Sequence, residues 1–232
     1  MADRRKADPF GVLEDERAAA VLRRLHREGR WQSISARTHR LRHLPAVLGN
    51  HAVPFVAEDA DLRLDRPVVI DERQAAFCYL TARTLQARTI VDLGTSFGIV
   101  AIWLAAALRA NGGGRLVAME MVPERAQDMR QNLVEAGLAD LVEVLAADAP
   151  HALATDPPQI DLVLNGGVPK PSIDMVKLLA PRMRSGAVVL TDDAGRPGAH
   201  YRSYLSWIRD QANGFQSTFL PLKGGLEYSV RR

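Results

Sequence analysis

The chain has a single cysteine, Cys78, among 232 residues. One thiol excludes an internal disulfide and any cysteine-rich zinc site. Phe77, Tyr79 and Leu80 surround it, so it reads as a small core residue and not as a nucleophile. No apolar run is long enough to cross a bilayer, and the longest, Ile99 to Leu108, has the length of a core helix. The opening MADRRKADPF lacks the apolar stretch of a secretory leader, so the cytoplasm is the expected compartment and no membrane partner is expected. Repeats and low-complexity tracts are absent. The chain also lacks a large excess of one charge sign, since the formal net charge is only +3. The basic excess sits early, from Arg23 to Arg42, without the run of aromatic side chains that a single-strand nucleic-acid surface needs. It reads as a solvated or subunit-facing helix surface, and no nucleic-acid partner is expected.

Apolar residues are plentiful, at 47%, enough for a large buried core. The length fits one large domain with an N-terminal extension, here residues 1–67 and 68–232. From Leu13 to about Arg30 the spacing of Val21, Leu22 and Leu25 predicts an amphipathic helix ended by Gly29. Pro45, Gly49, Pro54 and Pro67 break residues 31–68 into irregular pieces with short helices.

From Asp71 the pattern becomes regular. Asp71 caps a helix to about Gln86, with Phe77, Leu80 and Leu85 facing inward. Strands follow at Thr89–Leu93, Arg115–Met119, Leu141–Ala146, Ile160–Leu164 and Ala187–Thr191, separated by helices at 97–110, 123–136, 172–181 and 199–212. The strands are continuous apolar runs, as when both faces are covered. Alternating strands and helices predict an α/β fold with a doubly wound, mainly parallel sheet. Phe215–Leu222 and Leu226–Val230, joined at Lys223-Gly224-Gly225, form an antiparallel hairpin.

The most informative stretch is Ile90-Val-Asp-Leu-Gly-Thr-Ser-Phe-Gly98, a strand, a glycine turn and a helix. In doubly wound sheets ligands bind beyond the carboxyl ends of the strands. A dinucleotide site calls for G-x-G-x-x-G with an acidic residue roughly 20 positions on. Here the turn is Gly94-x-x-x-Gly98, without the middle glycine. Asp92, just before it, would repel a phosphate and suits the ammonium of an amino-acid ligand. Glu120 ends the second strand, where a carboxylate can accept both hydroxyls of a ribose. Asp148 follows the third strand and can meet an adenine edge. Together these features favour S-adenosylmethionine (SAM) over NAD. The alternative is an ordinary tight strand-to-helix turn, since glycines are common there.

Five stretches carry a resemblance: Val91-Asp-Leu-Gly-Thr-Ser-Phe-Gly-Ile-Val, Ala118-Met-Glu-Met, Ala147-Asp-Ala, Val189-Leu-Thr-Asp-Asp and Gly224-Gly-Leu-Glu-Tyr-Ser-Val. From about Val68 to Arg232 the chain resembles the class I SAM-dependent methyltransferases, and within them the catechol and caffeoyl-CoA O-methyltransferase group. The resemblance implies a seven-stranded sheet with its last strand antiparallel, methyl transfer to a hydroxyl of a small-molecule acceptor, and a homodimer. It implies that Gly94, Thr95 and Ser96 line the methionine part of SAM. Glu120 would hold the ribose, with Met121, Ala147 and Asp148 around the adenine and Ile70 closing over the cofactor. Asp92, Gly98 and Asn165 complete the expected cofactor set.

In that family a divalent cation, usually Mg²⁺, binds both oxygens of a vicinal diol, and a lysine takes the proton. The ligands are an Asp after the fourth strand and an Asp-Asn pair after the fifth. This chain has Asn165 after the fourth and Asp192-Asp193 after the fifth, a reciprocal exchange that keeps three oxygen-bearing side chains, two of them charged. Asn165, Asp192 and Asp193 are therefore the expected ligands of Mg²⁺ or another divalent cation, and Asp192 and Lys170 the expected catalytic residues. The lysine departs from the family spacing. Val168 stands where the family has it, Gly167 replaces an aromatic residue, and Lys170 arrives two residues late between Pro169 and Pro171. Two alternatives follow: a metal-independent O- or N-methyltransferase, or a protein that binds SAM or its product S-adenosylhomocysteine (SAH) with little catalysis.

Overall fold

A computed structural model describes residues 8–42, 69–94, 96–120, 122–145, 159–166, 169–195 and 199–232, with 30–42, 96, 169–172 and 199–201 described by backbone alone. The apolar runs form the strands β1 (Thr89–Leu93), β2 (Arg115–Met119), β3 (Val142–Leu145), β4 (Ile160–Asn165) and β5 (Met183–Asp192). They pair in parallel. The hairpin strands β6 (Phe215–Leu220) and β7 (Leu226–Arg231) complete a seven-stranded sheet in the order β3-β2-β1-β4-β5-β7-β6. β7 runs antiparallel to both neighbours. The order reverses between β1 and β4, which opens a crevice above their carboxyl ends.

Six helices are described: α1 (Glu16–Arg42), α2 (Glu72–Thr84), α3 (Ile99–Ala110), α4 (Pro123–Ala136), α5 (Pro169–Leu179) and α6 (Ala199–Arg209). Side chains alternate along each strand, so the sheet feeds two cores. Ile90, Leu116, Leu162, Leu164 and Leu190 pack beneath α1 to α4. Val91, Leu93, Val117, Val163 and Val189 pack on the other face, against α5 and α6. This alternation fixes which face each strand-end side chain takes. Among the described residues, no helix is long and apolar enough to cross a membrane.

Helix α3 is apolar all round because it is enclosed: every residue from Ile99 to Leu108 is buried between the sheet and α1 and α2. Trp103 at its middle stacks on Phe10, with ring centroids 5.6 Å apart. Its indole Nε1 donates to His26 of α1 at 3.4 Å. The N-terminal stretch thus shares one core with the rest of the described chain.

Two expectations change. Helix α1 does not end at Gly29 but continues to Arg42, so residues 31–42 are helical while 43–68 lie outside the described residues. A β-carbon at Gly29 would overlap the Val69 side chain, so this glycine serves close packing, not termination. Along α2 Phe77 and Leu85 are half-buried against the core as expected, but Leu80 is 46% exposed, and the fully inward face is Ala75, Ala76, Cys78, Tyr79 and Ala82. The small side chains Ala75, Cys78 and Ala82 let α2 approach its neighbours closely.

Carboxylates tie the sheet at two points. Glu227 on β7 is fully buried, and Arg209 of α6 donates to both its oxygens at 2.6 Å. Asp161 on β4 accepts from the amides of Arg88 and Thr89 at 2.7 and 2.9 Å, and from Arg184 at 2.6 Å. Burial raises the Asp161 pKa, but these donors outweigh it and hold the carboxyl below its ordinary value. A depressed folded pKa gives stability that is present above the unfolded value and lost as pH falls through the folded one. Asp161→Asn is therefore expected to flatten the acid limb of the stability curve below about pH 4, measured by urea unfolding at stepped pH.

Candidate active site

The crevice is lined by five strand ends. Leu93 of β1 pairs with Met119 of β2 and Asn165 of β4, Met119 pairs with Leu145 of β3, and Asn165 pairs with Thr191 of β5. After β1 the Gly94 amide donates to the Met119 carbonyl at 3.1 Å. The chain then makes a short 3-10 turn, Ser96–Gly98. Phe97 adopts φ 60°, left-handed backbone that a bulky residue rarely takes. Asn132 of α4 holds this conformation, its Nδ2 donating to the Phe97 carbonyl at 3.1 Å. Arg24 of α1 in turn donates to Asn132 Oδ1 at 2.9 Å. Asn132→Ala is expected to loosen the turn and weaken SAH about fivefold, the worth of one hydrogen bond, read by calorimetric titration.

Glu120 leaves β2 almost fully buried. Its amide donates to the Leu145 carbonyl at 3.0 Å, and its Oε1 accepts from the Val122 amide at 3.0 Å. The carboxylate is thereby fixed at the edge of the crevice. Ile70 is buried just ahead of α2, and Asp71 caps that helix through the Arg73 amide. Thr95, Met121, Ala147 and Asp148 lie outside the described residues, as does the side chain of Ser96. Lys170 lies in the first turn of α5, described by backbone alone.

Asp92 and Asp192 share a face. Asp92 pairs with Leu164, Leu164 with Leu190, and Asp192 stands two residues beyond Leu190, so both carboxylates face α2. Cys78 of α2 feels both: burial, then the charges of Asp192 and Asp92, push its thiol pKa far up. Cys78 is thus an inert core residue, as its neighbours in sequence imply. The partner of Asp192 on α2 is Gln74, whose Nε2 donates to Asp192 Oδ1 at 2.5 Å. That oxygen also accepts from the Asp193 amide at 2.6 Å. Gln74 is fully buried, and its Oε1 has no hydrogen-bond partner among the described residues.

Asn165 takes the opposite face. It is in register with Thr191, on the α5 and α6 side, and its Nδ2 lies 3.5 Å from Thr191 Oγ1. Thr191 Oγ1 and the Tyr204 hydroxyl of α6 are 2.6 Å apart. Burial raises the Tyr204 pKa, with Thr191 and Asn165 hydrogen bonds opposing it and the Glu227 charge adding to it. Asp193 turns a third way. Its backbone is left-handed, φ 56°, and its Oδ1 lies over Gly224, where a β-carbon would sit 2.5 Å away. The amides of Ala194 and Gly195 donate to the Gly225 and Gly224 carbonyls at 3.1 and 2.9 Å, so the glycine turn of the hairpin clasps the loop after β5.

A family model described as a methyltransferase domain matches residues 91–194. A catechol O-methyltransferase of Mycobacterium tuberculosis is 35% identical over 150 residues, covering 63% of this chain and 66% of that protein. A catechol O-methyltransferase of Niastella koreensis is 27% identical over 135 residues, covering 56% of this chain and 60% of that protein. Among solved structures, the O-methyltransferase of Streptomyces achromogenes involved in tomaymycin synthesis, in complex with SAM, superimposes with a TM-score of 0.62. It is 27% identical and covers 80% of this chain and 93% of its own. Residues 91–194 thus match a methyltransferase domain, and the chain is similar to the catechol O-methyltransferase family of SAM-dependent enzymes. It spans just under two thirds of the length of the two catechol O-methyltransferases.

Against that family's cation site the residues present do not fit. Asn165, Asp192 and Asp193 point to the α5 and α6 side, to α2 and to the hairpin turn respectively. Extending the β4–β5 register by one residue places Gly166 beside Asp192. The strand-end position facing the carboxylate therefore has no side-chain oxygen. Among the described residues, no cluster of three or more histidine, cysteine or acidic side chains could hold a metal.

Four contributors to this candidate site escape a reading of the sequence: Gln74, Asn132, Arg24 and Tyr204. Gln74 stands three residues after the cap Asp71, where a polar residue passes for part of a capping box. The other three act through contacts distant in sequence, for which the sequence carries no local signal.

Proposed function

We propose that this protein transfers the methyl group of SAM to a hydroxyl of a small molecule. The observation that carries this is the crevice at the β1/β4 switch point, with Asp92 and Glu120 fixed on neighbouring strands and a left-handed glycine turn between them. Asp92 suits the ammonium of the amino-acid part and Glu120 the ribose hydroxyls. Gly94, Thr95, Ser96 and Gly98 would line the methionine part, Met121, Ala147 and Asp148 the adenine, and Ile70 the cover above it. When bound, SAM supplies an electrophilic methyl carbon on a positively charged sulfur.

The protein's share is placement. An acceptor oxygen must lie in line with the methyl carbon and the sulfur, and holding both reactants replaces a bimolecular encounter with a unimolecular step. The oxygen–carbon bond forms as the carbon–sulfur bond breaks, its electron pair staying on sulfur. The hydroxyl proton leaves to a nearby base, for which Asp192 and Lys170 are the candidates. We place the activity in the cytoplasm, with residues 1–67 as an extension to the 68–232 catalytic domain.

The test is transfer of labelled methyl from SAM to a panel of small phenols and alcohols. Labelled ether product with stoichiometric SAH is expected. SAH binding without transfer to any acceptor would instead favour a binding protein with little catalysis.

A further inference from the structure

Resting on that function, we infer that the site works without a divalent cation and takes acceptors that present one isolated hydroxyl instead of a chelating diol. Four observations converge. Extending the β4–β5 register one residue past β4 brings Gly166 beside Asp192, and it offers no side-chain ligand. Asn165 lies in register with Thr191 on the far face, its Nδ2 3.5 Å from Thr191 Oγ1, which in turn pairs with the Tyr204 hydroxyl. The Asp193 carboxylate lies over the hairpin glycine turn. And Asp192 Oδ1 already accepts two donors, Gln74 Nε2 and the Asp193 amide.

Mg²⁺ demands near-octahedral oxygen ligation and gives up its water reluctantly, so it requires carboxylates that converge on one point. Alternation along β4 and β5 sends the candidate ligands apart, and no rotamer of a buried strand residue crosses the sheet. Gln74 of α2 holds the Asp192 carboxylate through its Nε2. Its neutral amide fixes the Asp192 carboxylate against α2, without drawing an acceptor oxygen into an inner coordination sphere.

The choice of acceptor follows. An ion that chelates two adjacent oxygens rewards a vicinal diol, because both hydroxyls gain a bond to it. Without the ion the second hydroxyl gains no such bond and still loses its water on entering the crevice. A monohydroxylated ring, or a diol with one oxygen already substituted, is then methylated at least as well as the diol.

The test uses the full chain with saturating SAH and Mn²⁺ as the probe. Electron paramagnetic resonance titration follows free Mn²⁺ for the wild type and for Asp192→Asn. Indistinguishable titrations are expected. A saturable Mn²⁺ site in the wild type that disappears in Asp192→Asn would overturn the inference, whether or not an acceptor has been found. Turnover is a second readout: excess EDTA is expected to leave methyl transfer to a monohydroxylated phenol within about twofold, while a loss beyond about tenfold restored by Mg²⁺ would also overturn it. Calorimetry of SAH on the same samples separates the two claims. Failure to bind SAH counts against the methyltransferase function, and the Mn²⁺ titration, repeated on the chain alone, still decides the cation question.

Discussion

Glu120→Ala is expected to weaken SAH about 100-fold while leaving thermal unfolding little changed. A carboxylate that accepts both ribose hydroxyls makes two charge-assisted hydrogen bonds, each worth about 1.5–3 kcal/mol, and part of that returns as water replaces the side chain. Glu120 is positioned in advance. Its amide is held by Leu145, its Oε1 by the Val122 amide, and the residue is 6% exposed, so little ordering entropy is lost on binding. Losing the Val122 contact costs the turn one hydrogen bond, on the order of 1 kcal/mol, which separates a binding defect from a folding one. Titration calorimetry and a melting curve on the same sample check this. An unchanged SAH affinity would remove Glu120 from the cofactor site.

Gly98→Ala is expected to cost about 2–5 kcal/mol of stability and to impair SAH binding as well. Two effects add. The backbone at Gly98 has φ 80°, which costs an L-residue roughly 1–2 kcal/mol. A β-carbon there would also lie 2.7 Å from Met129 Cγ and 3.3 Å from Met129 Cα. Met129 is fully buried on α4, so it has little room to give, and such overpacking adds about 1–3 kcal/mol. Because Gly98 ends the 3-10 turn and is the N-cap of α3, any relaxation moves the Phe97 carbonyl away from Asn132. Urea unfolding measures the first effect and SAH titration the second. A loss below about 0.5 kcal/mol would mean that the turn tolerates a different geometry from the one described.

Most of the architecture is legible in the sequence because strand and helix announce themselves differently. Val91, Val117 and Val163 belong to short apolar runs with both faces covered, and Pro123 and Gly137 bracket a helix at its two ends. The hairpin is legible from Gly224-Gly225. What fails is local punctuation that serves tertiary contact. Gly29 looks like a stop and is a packing contact. Phe97 gives no sign of a left-handed backbone, because Asn132, 35 residues away, imposes it.

The cation site shows the limit most clearly. From spacing alone Asn165 reads as a strand-end ligand. Side chains alternate along a strand, so an ambiguity of one residue exchanges the two faces of the sheet. Only the pairing of Asn165 with Thr191 settles that the residue beside Asp192 is Gly166. Composition preserves the charge of the site while geometry disperses it.

The measurement that tests the central claim most directly is a calorimetric titration of SAH into the full chain, repeated with NAD and with SAM as competitor. One saturable SAH site, displaced by SAM and indifferent to NAD, is the expected result. An absence of SAH binding, or its displacement by NAD, would contradict the assignment of this crevice to SAM.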